Sequence, residues 1–588
     1  MSIYALDNET YEFNEEKQEY EPVLNARKVT LSALKDEKGN TVFHYDYNKM
    51  KEHILSICDK NIKYNKRTFI YAHNMEYDFY GIFQDDLMNE NIKYVCFNPF
   101  IAIYKDKCFF LDTMSFYRMS LKDVAEILNM RKMELPNNPK NMEEVKPYLQ
   151  RDVDLVMASI LKLKQEINKL GYNPRKLLTA GQLAITSFRT YCSRNGIESN
   201  LMEYDNNLGY KVVIKSHYPK KVREAFRGGR NEAFQVGKFE NVSMVDINSL
   251  YPYVMSIMKF PDLKTEKYIV KPSITLFNEI RKTGILGVVE CEIEAPNIDL
   301  GYLPIRFQGM QMYPTNRTLK GTWTILEIER ALELGYKLNY INWMVTYNEN
   351  EINPFENYIK ELYEMRLNAE GNFKSVIKLL MNNLYGKFSQ YRNEKDYKIV
   401  LRHEVQSYID DGYEVTCSMG NKYIISKEGE LYQPSYTNAI ISILITAYAR
   451  DYLYNQLKKI PKEDLLYCDT DSVMFKGNYL DKFKQGNQMG EFKIELNNVE
   501  CKILGEKRYY IHDRVKISGL PRKDATKDLI EKELDVYTKK IVGIKEAFRI
   551  GNINEVGTFR EQYMEMKPHA KVMMFVPEYV NEIKEWLI

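Results

Sequence analysis

Tyr467-Cys468-Asp469-Thr470-Asp471-Ser472 follows the apolar pair Leu465-Leu466. On an extended strand, residues two apart face the same side, so the carboxylates of Asp469 and Asp471 are expected to converge. Carboxylate oxygens are hard ligands that select magnesium or manganese over zinc. An isolated Asp-x-Asp describes many solvated turns, so its meaning rests on its company. Asp246 opens Asp246-Ile247-Asn248-Ser249-Leu250-Tyr251-Pro252 directly after the strand-like Ser243-Met244-Val245. A third carboxylate at a strand end completes the ligand set of a two-metal phosphoryl-transfer site, whose ions sit about 3.5–4 Å apart. The stretch Lys378-Leu379-Leu380-Met381-Asn382-Asn383-Leu384-Tyr385-Gly386 puts Lys378, Asn382 and Tyr385 on one helix face. Arg366 and Lys374 extend its cationic side, which suits a polyanionic triphosphate, and Tyr385 offers a ring to a base pair.

The chain of 588 residues is too long for one core and is expected to divide into domains. A formal charge of +2 leaves nucleic-acid binding to local patches. The eight cysteines are scattered without a C-x-x-C pair, which argues against a zinc site or a disulfide framework and suits a reducing cytoplasm. No signal peptide is visible. The apolar run Ile440 to Ala449 is broken by Ser442 and Thr446, ends at Arg450, and reads as a buried helix rather than a membrane span.

Residues 1–178 mix β-rich runs with helical periods such as Leu121 to Leu128. Lys211, Lys215, Lys220, Lys221, Arg223, Arg227 and Arg230 face a single acid, Glu224, and end in Phe226-Arg227-Gly228-Gly229-Arg230. Two glycines there would let backbone amides approach a phosphate. Asn353 to Gly386 reads as a helical hairpin turned at Asn368-Ala369-Glu370-Gly371-Asn372. Residues 387–434 alternate like strands around the turn signals Asp410-Asp411-Gly412 and Gly420-Asn421. A long helix (435–459), a strand into Asp469, and a small mixed terminal domain after Lys516-Ile517-Ser518-Gly519-Leu520 complete the reading.

The three opening blocks resemble the A, B and C motifs of family B DNA polymerases, D-x-x-S-L-Y-P, K-x3-N-S-x-Y-G and Y-x-D-T-D-S, in that order. Asn383 stands where the family usually has Ser. The resemblance implies Asp246 and Asp471 as principal metal ligands with Asp469 assisting. It also implies that Tyr251 stacks under the incoming sugar and excludes a ribose 2′-hydroxyl. Lys507-Arg508-Tyr509 resembles the family's K-x-Y motif, which implies that Lys507 and Tyr509 contact the primer terminus.

A second set of acids lies upstream. Asp7-Asn8-Glu9 follows Ile3-Tyr4-Ala5-Leu6, and farther on come Tyr71-Ala72-His73-Asn74-Met75-Glu76-Tyr77-Asp78 and Tyr148-Leu149-Gln150-Arg151-Asp152. These resemble the ExoI, ExoII and ExoIII motifs of 3′→5′ proofreading exonucleases of RNase H-like fold. The resemblance implies two metals on Asp7, Glu9, Asp78 and Asp152, with Tyr148 orienting the attacking water. It implies Thr10, Tyr71, His73, Asn74 and Tyr77 as contacts of the frayed primer strand, with Thr113, Ser120, Leu121 and Lys132 as further candidates.

The compact length and two gaps between motifs resemble the protein-primed branch of the family. Phe226-Arg227-Gly228-Gly229 is similar to that branch's Y-x-G-G motif, with Phe in place of Tyr, and implies a DNA contact at all four positions. The expected class is an α+β multidomain chain: an exonuclease domain (1–178) followed by a right-hand polymerase. Its parts are a palm (179–257 and 435–515), a first insertion (258–353, the terminal-protein region), fingers (354–386), a second insertion (387–434) and a thumb (516–588). The resemblance implies Mg2+ or Mn2+, two ions per active site, with template and primer DNA, dNTPs and a terminal protein as partners. A monomer in the cytoplasm of a bacterial host, without membrane contact, is expected. A conventionally DNA-primed polymerase and an inactive DNA-binding relative are the alternatives.

Overall fold

The structure is a computed structural model that describes all residues except 88, 90, 98, 170, 173, 175, 370–372, 420, 521–523, 551, 567–577 and 582–588. The tip residues Glu370, Gly371 and Asn372, and Gly420 of the expected hairpin turn, lie outside the described residues.

The N-terminal part is built on an eight-stranded mixed sheet. Its path runs Thr41–His44, Val29–Asp36, Ser2–Asn14, Thr68–Ala72, Cys108–Asp112, Phe100–Tyr104, Ile92–Phe97, with Glu19–Pro22 pairing off the third strand. The central strands Thr68–Ala72 and Cys108–Asp112 are buried at every position, which requires cover on both faces. Phe69 and Tyr71 face a core shared with Leu149, Val153 and Val156 of the helix Lys146–Lys169. Ile70 and Ala72 face Met50, Ile54 and Cys58 of the helix Tyr47–Lys63.

A seven-stranded antiparallel sheet follows, in the order Asn231–Ala233, Leu465–Asp469, Ser472–Lys476, Gly237–Ile247, Phe492–Gly505, Arg508–Ile511, Arg514–Ile517. Strands more than two hundred residues apart in sequence thus become neighbours. The sheet runs through Ile517, past the expected palm boundary. Between its strands the chain makes a separate five-stranded sheet with its own core around Trp323, Val289 and Ile293. The terminal segment, expected as a small mixed domain, also packs on the other parts: its strand Tyr579–Asn581 pairs in parallel with Arg317–Thr324 of this inserted sheet, and Val542, Ile544, Ala547 and Val556 join the N-terminal core. The apolar side chains left on those two modules are what the terminal residues cover.

Helices Glu356–Asn368 and Phe373–Phe388 form the expected hairpin. Residues 392–432 form a three-stranded sheet in which Met419 pairs with Lys422. Asp410-Asp411-Gly412 is not a strand-to-strand turn: it closes the short helix Val405–Asp410, with Gly412 at φ +85°. Turn-forming residues also end helices, and the local signal is the same. Among the described residues no helix is long and apolar enough to cross a membrane.

Candidate active sites

Three strand ends meet in the seven-stranded sheet. Asp246 lies opposite Ser472, and Asp469 pairs with Ser472 from the other side. Asp471 is not on a strand. Thr470 has φ +60° and turns the chain, and the Ile247 amide donates to the Asp471 carbonyl at 2.7 Å. Alternation along one strand therefore does not bring Asp469 and Asp471 together; a two-residue hairpin turn places them. Burial pushes the Asp471 carboxyl up to about 7, helped by the Asp246 and Asp469 charges and opposed by Lys378. Asp246 is raised to about 6, first by burial and then by Glu495. Acids held this far above their ordinary range are short of positive charge, and their hard oxygens fit a divalent ion.

The rings of Tyr251 and Tyr385 stack with centroids 4.2 Å apart, and the Asp471 charge acts on both hydroxyls. Lys374, Lys378 and Asn382 are exposed along the same helix. Arg366 donates to Ser249 Oγ at 2.8 Å, and Ser249 itself sits at φ +53°. Asn383 donates to the Leu379 carbonyl at 2.8 Å, so the residue that departs from the motif is spent on its own helix. Lys507 stands 3.8 Å from Asp469, and the Tyr509 ring lies 5.1 Å from that of Tyr467.

The upstream acids form a tighter centre. Asp7, Glu9 and Asp152 place one ligand oxygen each within 4.8 Å of the others, the only such trio of candidate metal-ligating side chains among the described residues. Asp78 faces the group without joining that trio. Asp7 Oδ2, Asp78 Oδ1 and Asp152 Oδ1 are buried and lack a hydrogen-bond partner. Burial pushes Asp7 and Asp78 well above the usual carboxylate range and Glu9 up to about 8, with the neighbouring acids adding to each. Orphaned oxygens with raised affinity for protons are the donor set a divalent cation satisfies. One cation is already present: Lys132 pairs with Asp152 and donates to the Tyr148 hydroxyl at 2.9 Å.

Residues 129–463 match the family described as DNA polymerase type B, organellar and viral. The chain belongs to that family. It is 24% identical over 554 residues to a probable DNA polymerase of Podospora anserina, covering 85% of this chain and 43% of that one. It is 24% identical over 445 residues to the DNA polymerase of Bacillus phage phi29, covering 72% and 68%. The chain spans 43%, 31% and 56% of the length of its relatives from P. anserina, Neurospora intermedia and Agaricus bitorquis. The structure of phi29 DNA polymerase complexed with primer-template DNA and incoming nucleotides superposes with a TM-score of 0.68 at 17% identity, over 96% of this chain and 100% of that one. The fold is therefore that of the phi29 enzyme. Relatives occur in Bacillus phages and in fungi, so a bacterial host is not singled out.

Several of the expected contacts sit differently in the structure. Tyr71 is 2% exposed and donates to the Leu177 carbonyl at 2.9 Å, so its ring belongs to the core and no base can stack on it. His73 bonds Thr113 and Met119 through its two ring nitrogens, and burial lowers its pKa to about 4. Both ring nitrogens are thus engaged within the fold. Thr113 is buried, and Ser120 caps the helix Leu121–Ile127. Thr10 accepts from the Tyr77 hydroxyl at 2.7 Å and donates to the Val23 carbonyl. Asn74 is exposed at φ +79° with no capping bond from its side chain, which leaves that amide available.

In the Phe226-Arg227-Gly228-Gly229 loop, Arg227 is 2% exposed and donates to the carbonyls of Glu224 and Phe226, so it cannot reach a phosphate. Phe226 packs against the main core. Gly228 is exposed, and a Cβ there would meet nothing. Gly229 is enclosed by Thr470 and Tyr251. Missed by sequence reasoning were Glu327, Arg230 and Arg450, which surround this loop. An arginine ending an apolar run inside a helix, as Arg450 does, is a legible sign of a buried ion pair; its partner is not.

The raised acids set a pH dependence. A carboxyl whose folded pKa exceeds its unfolded value favours folding while protonated, so that stabilisation is lost as pH rises through the folded pKa. For Asp246, Asp471 and Glu9 the upper end of that window falls at about pH 6 to pH 8. The melting temperature in chelator is expected to fall across it, and millimolar magnesium to reduce the fall, because the ion replaces the protons. Identical pH slopes with and without magnesium would refute this.

Proposed function

We propose that this chain is a template-directed DNA polymerase with a 3′→5′ proofreading centre, initiating on a terminal protein and elongating with strand displacement. The observation that supports synthesis most is the meeting of Asp246, Asp469 and Asp471, with the Asp471 charge reaching the stacked Tyr251 and Tyr385 rings and Lys378 acting on Asp246 and Asp471. Asp246 and Asp471, assisted by Asp469, would hold divalent ions, which when bound activate the primer hydroxyl and neutralise triphosphate charge. Lys374, Lys378 and Arg366 orient the triphosphate, Tyr385 supports the nascent base pair, and Tyr251 bars a ribose 2′-hydroxyl. Lys507 and Tyr509, beside Asp469, hold the primer end.

At the upstream centre, Asp7, Glu9, Asp78 and Asp152 would hold the ions for hydrolysis. Tyr148, fixed by Lys132, orients water; Asn74 and Tyr77 grip the frayed strand through their accessible surfaces, with ring stacking on bases from Tyr77. Asp471→Ala is expected to lower metal-dependent dNTP incorporation on the order of a thousandfold, the worth of several kcal/mol in the barrier. The Asp7→Ala/Asp152→Ala variant should lose single-strand degradation and keep incorporation. Retained synthesis in the first, or retained degradation in the second, would refute the assignment concerned.

The insertion at 258–353 is assigned to the terminal protein and residues 387–434 to strand displacement. The sheet at 392–432 protrudes between the fingers hairpin and the helix Ala439–Leu457 in sequence, and its strand Glu414–Met419 approaches the helix Ile544–Arg549. Such an arrangement can enclose a single strand. Replacing 392–432 by a short linker is expected to abolish synthesis through duplex while sparing gap filling; undiminished displacement would remove the role.

Protein priming is tested by mixing the chain with a candidate partner, labelled dNTP and template, without a nucleic-acid primer. Covalent label on a Ser, Thr or Tyr of the partner is expected. Incorporation only when a DNA primer is added would favour the conventionally primed reading.

A further inference from the structure

Gly229 occupies a crowded point behind the Asp469–Asp471 turn. A Cβ at that position would come within 2.8 Å of Thr470 Oγ1 and 2.9 Å of the Tyr251 hydroxyl. The loop therefore backs directly onto the residue read above as the sugar gate. On its other side Tyr251 meets the Tyr385 ring, so its position is set by that stack and by the loop.

The loop is held from the inserted module. Glu327, 2% exposed, divides its two oxygens between two tasks. Oε2 accepts the Thr324 amide at 3.0 Å and hydroxyl at 2.8 Å, completing the capping box of the helix Ile325–Glu333. Oε1 accepts Arg450 Nε at 3.1 Å and Nη2 at 2.6 Å. Arg450 Nη1 in turn donates to the carbonyls of Arg227 at 2.9 Å and Gly228 at 2.8 Å. Two further handles come from the same module. Gln311 Nε2 donates to the Gly229 carbonyl at 3.2 Å, and the Gly301 carbonyl accepts Arg230 Nη1 at 2.8 Å. Arg230 completes the circuit, because its carbonyl accepts the Thr470 amide at 2.7 Å.

We propose that Glu327, Arg450 and Gln311 are positioning residues for nucleotide selection: the inserted module sets the seat of Tyr251 by anchoring the 227–230 loop behind it. Their hydrogen bonds reach the loop backbone, and the Arg450 charge also acts on the Tyr251 hydroxyl. Charge burial makes the anchor stiff. Arg450 is 4% exposed and can satisfy its guanidinium only on Glu327 and those carbonyls. When the anchor is loosened, Gly229 no longer supports the Tyr251 hydroxyl, and the space that excludes a 2′-hydroxyl widens. The inserted module is then part of the synthesis site and not only a platform for a partner. The inference rests on the reading of Asp246 and Asp471 as the synthesis site and Tyr251 as its gate.

The test uses the full chain with Glu327→Gln, which keeps the cap acceptor and removes the charge, and Gln311→Ala, which removes the bonds to the Gly229 carbonyl and the Tyr313 hydroxyl at a half-buried position. Primer extension with dNTPs and with ribonucleotides gives KM, kcat and the ribonucleotide-to-deoxynucleotide ratio. Single-strand degradation at the upstream centre and a melting curve report folding. For Glu327→Gln we expect dNTP KM to rise about tenfold, ribonucleotide use at least about fivefold, and kcat to stay within about threefold. Gln311→Ala should move the same two quantities in the same direction by less. A purely structural role would lower all activities together and leave the sugar ratio unchanged.

If folded Glu327→Gln and Gln311→Ala both keep KM and the sugar ratio within about twofold of the parent, the proposal is overturned. Should Glu327→Gln fail to fold, Gln311→Ala alone decides by the same criterion. Tyr251→Val run alongside separates the two readings. Unchanged ribonucleotide use in Tyr251→Val would remove the gate, and the dNTP KM of the loop variants would then decide the positioning role by itself. A parent chain with no metal-dependent incorporation would remove the site reading and this inference with it.

Discussion

A single buried guanidinium organises the middle of this molecule. Arg450 lies inside the fold, where an unpaired charge is strongly unfavourable. Its pairing with Glu327 ties the long helix Ala439–Leu457 to the inserted module, and its remaining donors fix the backbone at Arg227 and Gly228. Removing one partner of such a pair costs about 3–5 kcal/mol, because the other charge stays buried without compensation. The constraint propagates: a fixed loop path brings residue 229 against Thr470 and Tyr251, where a Cβ would force those side chains to shift. The turn that carries Asp471 is thereby held from behind.

The two acidic centres answer the same electrostatic problem differently. In both, burial and like charge raise carboxyl pKa values until the group is short of cations. At the upstream centre Lys132 is in direct contact with Asp152, and three ligand oxygens already lie together. At the downstream centre the counter-charge comes from Lys378 on the helix Phe373–Phe388, which acts on Asp246 and Asp471, and from Lys493 and Lys507, which face Asp246 and Asp469. The first site is assembled on one sheet and two helices. The second takes its acids from the sheet and one of its cations from a separate helix.

Much of this was legible in short stretches of sequence. Asp246, the Lys378–Tyr385 face and the Asp469–Asp471 turn are each local patterns, and a local pattern survives whatever surrounds it. The same locality produced the errors. Tyr71 and His73 lie in a motif segment with exposed neighbours, yet a tertiary core encloses the one and satisfies both nitrogens of the other. Arg227 sits in a basic run that reads as a solvated, phosphate-binding face, but its guanidinium turns inward onto local carbonyls. Asp410-Asp411-Gly412 signals a chain reversal without saying that a helix precedes it. No residue of the terminal segment announces that 579–581 would complete a sheet begun more than two hundred residues earlier.

By itself the sequence determined which residues could do chemistry: the acids, their spacing, the cationic helix face and the order of the blocks along the chain. Side-chain type and periodicity suffice for that, because they depend on covalent neighbours and on the repeat of a helix or strand. Only the tertiary structure decided which of those residues are accessible, which turn brings Asp471 to Asp246, and what stands behind Tyr251. Burial, ion pairing and close approach are properties of groups distant in sequence, and Glu327, Arg450 and Gly229 become partners only once the sheets have packed.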